Sequence, residues 1–95
     1  MTQHVYFAAK TKYQRIQRVI ENEMGGYNSV IIPDSTLPPD TEIIHVPLLN
    51  VVVAHHNQSL AIVGKDERAV KRAHSKLERM AVVKLSRIDT QLEHG

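Results

Sequence analysis

The chain has 95 residues, a net charge of +2, 42% hydrophobic side chains and no cysteine. At this length a chain buries only ~60–65% of its unfolded surface, which leaves room for one core and no separate catalytic lobe. The hydrophobic content excludes a disordered chain, and the missing thiols exclude a disulfide framework, a zinc ribbon and a cysteine nucleophile.

The charge is unevenly spread. Residues 27–64 contain no Lys or Arg and three acids, Asp34, Asp40 and Glu42. Residues 9–26 set Lys10, Lys12, Arg15 and Arg18 against Glu21 and Glu23. Residues 65–80 set six basic side chains against Asp66, Glu67 and Glu78. Ten of the twelve basic residues therefore sit in two short segments, a pattern that points to an anionic partner.

Residues 5–9 (VYFAA) form an uninterrupted apolar run, as in a strand covered on both faces. Thr11 with Gln14 has the spacing of a capping box, and the periodicity predicts a helix over 12–24 with Tyr13, Ile16, Ile20 and Met24 inward. Gly25-Gly26 ends it, because glycine accepts the left-handed conformation that follows helix termini. Residues 29–32 (SVII) then read as a second strand, so that strand–helix–strand predicts a parallel first pair.

The stretch 33–40 (PDSTLPPD) is a loop stiffened by three prolines. Residues 41–46 make a short strand, with Pro47 at an edge or a bend. Residues 50–55 and 59–63 form a hairpin around His56-Asn57-Gln58. Gly64 and the capping Asp66 then open a second helix, along which Val70, Ala73, Leu77 and Met80 face a core. Residues 82–88 give a last strand with Val83 and Leu85 on one face.

The order is β-α-β-β-β-β-α-β. It describes one α+β (or small α/β) domain over residues 1–90, with one mixed sheet of four to six strands and two helices on one face. Residues 91–95 read as a disordered tail or a cloning scar. The opening MTQHVYFAAK lacks the basic-then-apolar order of a signal peptide. The longest apolar zone, 43–54, is broken by His45, Pro47 and Asn50 and is too short to cross a bilayer. The expectation is a cytoplasmic protein with no membrane association.

The strongest candidate site is basic. Lys12, Arg15 and Arg18 on the first helix, and Arg68, Arg72, Lys76 and Arg79 on the second, recur three or four residues apart. Clustered Lys and Arg displace counterions from a polyanion, and guanidinium groups hold phosphate bidentately. The plainer explanation is a solvated helix face, with Glu67 placed four residues before Lys71 for an ordinary intrahelical pair.

Strand, glycine and helix over 59–80 resemble the closing strand and helix of KH domains, and the same arrangement occurs in ferredoxin-like regulatory domains. The Gly-x-x-Gly loop of a KH domain is missing, since Gly25-Gly26 stands elsewhere.

Other candidates carry less. His55 and His56, with His45, invite a metal, but adjacent strand residues point to opposite faces and no third ligand stands at the right spacing. No metal or cofactor is expected. Asp34-Ser35-Thr36 after a strand is where an open α/β sheet holds a ligand, and a small phosphate-ester enzyme would centre on Asp34 and Ser35. A turn with a capping aspartate explains the same residues. Leu48, Leu49 and Val51–Val53 are more apolar than a small monomer easily covers, which points to a homodimer or larger homo-oligomer. The reading is a small non-enzymatic module that binds nucleic acid or another phosphate-rich ligand through two basic helices. The alternative is a small oligomeric regulator or inhibitor of a protein or small anionic ligand.

Overall fold

The computed structural model describes residues 1–28, 38 and 40–89. Six strands and two helices follow in the order β1 (Thr2–Phe7), α1 (Lys10–Glu23), β2 (Tyr27–Asn28), β3 (Glu42–Val46), β4 (Val51–His56), β5 (Ser59–Gly64), α2 (Glu67–Ala81) and β6 (Ser86–Arg87). They build one sheet in the order β2-β3-β4-β5-β1-β6, with every neighbouring pair antiparallel. This is the α+β fold the element order implies.

Among the described residues the sheet is antiparallel throughout rather than mixed, and β1 and β2 are not a parallel pair. β1 lies between β5 and β6 in a six-residue register from Thr2↔Gly64 to Phe7↔Ser59. β2 is at the opposite edge, beside β3. α1 carries the chain across three intervening strands, so strand–helix–strand does not make a βαβ unit here. The run 29–32 and the Asp34–Ser35 loop lie outside the described residues.

Both helices pack on one face of the sheet. Alternation sends Tyr6, Ile44, Val46, Val51, Val53, Leu60 and Ile62 toward them, all buried. Tyr13, Ile16, Ile20 and Met24 from α1 and Val70, Ala73, Leu77 and Ala81 from α2 close the core from above. Met80 packs only at the margin of this cluster, and Ala81 takes the inward position at the end of α2.

The helix ends follow local chemistry. Asp66 caps α2 by accepting a hydrogen bond from the Ala69 amide at 2.9 Å. At its other end Val82 adopts the left-handed conformation with φ 54°, and the Val83 amide returns to the Glu78 carbonyl at 3.1 Å. α1 starts at Lys10 after Ala9, without a side-chain cap. The Thr11–Gln14 box does not form, because Thr11 already lies inside the first turn. Gly25, at φ 63°, turns the chain out of α1. Gly26 has no room for a side chain, since an added Cβ would collide with the Ile20 side chain.

Between β3 and β4, Pro47–Leu49 forms a single 3₁₀ turn closed by Asn50 in the left-handed conformation. The β4–β5 hairpin pairs His56 with Ser59 around a two-residue turn, Asn57-Gln58, with Asn57 at φ 55°. No helix among the described residues is long and apolar enough to cross a membrane.

Candidate anion-binding surface

On α2, Arg68, Arg72, Lys76 and Arg79 are separated by four, four and three residues. At 3.6 residues per turn they fall within one strip about 80° wide and advance by about 6, 6 and 4.5 Å along the axis. The strip lies opposite the buried Val70–Ala73–Leu77 face, and all four side chains are exposed.

Two of the three acids of this segment are turned elsewhere, and the third serves as the helix cap. Asp66 is occupied with the Ala69 amide. Glu67 reaches toward β1, where its Oε1 stands 3.0 Å from His4 Nε2, and it also meets Lys71 at 3.9 Å. Glu78 accepts from the Leu85 amide at 2.7 Å and sits 3.2 Å from His74. Among the described residues no carboxylate pairs with Arg68, Arg72, Lys76 or Arg79. The positive strip and the acidic flank of α2 are therefore segregated. Helical spacing places Glu67 and Glu78 on one flank, about 80–100° from Arg68, and the contacts with His4 and the Leu85 amide hold them there.

The 3₁₀ turn adds a second wall. Arg72, Lys76 and Arg79 line a shallow groove of about 460 Å³ with Leu48, Leu49 and Ser75. Arg68 and Arg72 line an adjoining hollow of about 270 Å³ with Lys65, Asn50 and Asp66. Arg72 belongs to both, so the basic residues border one continuous trough between α2 and the turn. Leu48 stands 71% exposed on its wall. Lys65 is the basic member outside the expected set, and Leu48, which the sequence marks only as surplus apolar surface for self-association, lines the trough too. Lys65 precedes the helix cap and so falls outside the helical spacing, and Leu48 sits in an apolar zone that reads as strand.

The basic residues of α1 stand apart from this trough. Lys12 is half-buried, and its Nζ donates to the Lys84 carbonyl at 2.8 Å, tying the start of α1 to the segment after α2. Arg15 and Arg18 are exposed on α1 and line neither hollow.

The histidines have structural surroundings. Buried His55 stacks on Tyr13 at 4.1 Å between ring centroids, and its Nε2–H donates to the Ala8 carbonyl at 2.9 Å. Burial, reinforced by the Glu42 carboxylate, pushes the Tyr13 phenol well above its ordinary range. His56 points to the other face and lies 2.8 Å from Asp40. His45 stacks on Tyr27 at 5.1 Å. Among the described residues no three His, Cys, Asp or Glu side chains come together as a metal cage.

Beneath α2, Tyr6 stacks on His74 at 4.5 Å, and burial pushes its phenol up to about 12. Asp89 is held below the ordinary carboxylate range. Burial opposes its ionisation, but the hydrogen bond from Arg87 and the Val5 amide outweigh that cost.

Comparison with known proteins adds no relative: no family model, no curated protein and no solved structure matches this chain.

Proposed function

We propose that this protein is a non-enzymatic binding module for nucleic acid or a similarly phosphate-rich ligand, with α2 as the contact. The observation that carries the reading is the segregation of charge on α2. Lys65, Arg68, Arg72, Lys76 and Arg79 border one trough, while Glu67 and Glu78 are held on the opposite flank by His4 and the Leu85 amide. Asp66 shares the hollow of Arg68 and Arg72 but is engaged as the helix cap. Cations without a salt-bridge partner retain their attraction for an external anion, whereas a salt-bridged face has already spent it internally.

The shape favours a strand over a point ligand. One cation per helical turn forms a row whose step is close to the distance between successive phosphates of an extended single strand. The exposed Leu48 offers an apolar contact for a base beside that row. Arg15 and Arg18 can extend the field without touching the same strand. A cytoplasmic location, where nucleic acid is abundant, is part of this reading.

The test is binding of fluorescent single-stranded oligonucleotides across a salt series. Binding that weakens steeply with salt and is lost on Arg68→Ala/Arg72→Ala supports the proposal. Absence of binding at low salt refutes it.

A further inference from the structure

The sheet has a second face that the described residues leave bare. Cross-strand register lines up His45, Val52, Val63 and Gln3 in one row, and Ile43, Ala54, Ala61 and Val5 in the next. These positions alternate with the buried ones, so they point away from both helices. Small apolar side chains fill the middle. Three of the large exposed apolar residues, Met1 at 101%, Phe7 at 43% and Tyr27 at 56%, stand around this face.

We infer that this face is the interface of a homodimer, two copies packing sheet against sheet with the basic helices outermost. Three observations select a second copy as the occupant.

The first is charge. The outward positions of β1, β3, β4 and β5 include no Lys, Arg, Asp or Glu, in a chain whose helices are densely charged. Lys65 stands at the rim of a hollow at one end. Across the strands themselves a polyanion or a charged peptide finds no counter-charge, whereas another neutral sheet needs none.

The second is relief. Phe7 projects at the end of the face where it pairs with Ser59, beside His56. At the other end Met1, Tyr27, His45, Val52 and Val63 border a largely apolar hollow of about 560 Å³, with Lys65 at its rim. The two features lie about four residues apart along the strands, or about 14 Å. Phe7 stands on β1 and the hollow lies mainly between β2 and β5, so a two-fold axis in the interface plane and oblique to the strands brings Phe7 of each protomer over the hollow of its partner. The surface is thus self-complementary, as an isologous contact requires.

The third is area. Four central strands of five or six residues span about 20 Å by 19 Å, on the order of 400 Å² in projection. Side-chain relief and the projecting Met1, Phe7 and Tyr27 raise the accessible area toward the ~800 Å² per partner of a specific interface. That size is what a specific dimer needs.

Sedimentation equilibrium of the full chain tests the inference, independently of nucleic-acid binding. A monomer–dimer equilibrium insensitive to salt is expected, because apolar contacts are not screened. Val52→Lys should weaken it at least about tenfold with an unchanged circular dichroism spectrum, because a lysine there is solvated in the monomer but buried in the dimer. Should that variant fail to fold, Ala61→Cys decides. The chain has no native cysteine, and Ala61 lies in the central row, so a short bis-maleimide that spans two sheets packed about 10 Å apart should link two copies covalently. A wild-type monomer at high micromolar concentration overturns the inference. So does a dimer that salt or Arg72→Glu abolishes and Val52→Lys does not, or an Ala61→Cys protein that stays unlinked.

Discussion

Glu67 stands 3.0 Å from the buried imidazole of His4, a contact that draws the acid of the first turn of α2 toward β1 and away from Arg68. Glu67 and Arg68 are adjacent in sequence, about 100° apart around the helix, so one serves the sheet side and the other the solvent. Replacing Glu67 with Gln removes a charge from the acidic flank without touching the basic strip. Nucleic-acid affinity should then stay level or rise slightly, while Arg68→Gln lowers it. Equal losses in the two variants would show that the flank and the strip act together.

The inward stripe of α2 carries stability and the outward strip does not. Leu77 is fully buried among core residues, so Leu77→Ala should cost roughly 2–5 kcal/mol, the range for a leucine that leaves a cavity. Lys76 beside it is exposed, and Lys76→Ala should cost under about 0.5 kcal/mol. Urea denaturation with a common slope measures both. Similar midpoints would place the core on the wrong face of α2.

Val82 is a β-branched residue in the left-handed conformation, 74% exposed, at a position that helices usually give to glycine. Its side chain contributes little packing and the backbone is strained. Val82→Gly should therefore stabilise the protein by about 1 kcal/mol, less the extra entropy of glycine in the unfolded chain. A drop in the thermal midpoint would show that the valine packs against something after all. Gly26→Ala should act in the opposite sense, because Ile20 fills the space a Cβ needs.

The second helix was almost fully legible in the sequence. Asp66 caps it, Val70, Ala73 and Leu77 face inward, and Arg68, Arg72, Lys76 and Arg79 face out, because capping and periodicity are local properties. Strand pairing is not local. β1 finds its partner in β5, and nothing in 2–7 specifies that choice over β2. The partners of Glu67 and Glu78 were hidden for the same reason, since His4 and Leu85 reach them only through the tertiary fold. The neutral outer face was visible only as surplus hydrophobicity in 48–53.

Alkaline pH should unfold the protein through its buried phenols. Burial raises the pKa of Tyr6 from 10.0 to about 12 and pushes Tyr13 up further, so in the fold both hold their protons above pH 10. The unfolded chain releases them from about pH 10, and the native state then binds more protons than the unfolded one. The phenols' contribution should be level below that point, and stability should fall as pH rises beyond it. Tyrosinate absorbance and circular dichroism followed together in a Tyr27→Phe background, where only the two buried phenols remain, check this, and they should change in one transition. Tyr13→Phe removes one titrating group and should flatten the fall. Phenol ionisation that runs to completion while the fold persists would contradict the account.

The final prediction separates the two basic helices. If α2 alone lines the trough, about four phosphate contacts give a log–log salt slope near −3 for a single strand, or roughly fifty-fold weaker binding between about 50 and 200 mM salt. Arg68→Ala with Arg72→Ala removes two of those contacts, so the slope should fall to about half. The loss should be even across sequences, because phosphate contacts carry no base information. Arg15→Ala with Arg18→Ala removes the same formal charge from α1, which borders neither hollow. It should lower affinity modestly through the long-range field and leave the slope nearly unchanged. Leu77 stays intact in both pairs, so that lost binding is not lost folding. If both pairs reduce the slope equally, the ligand follows total charge and the trough between α2 and the Pro47–Leu49 turn is not its path.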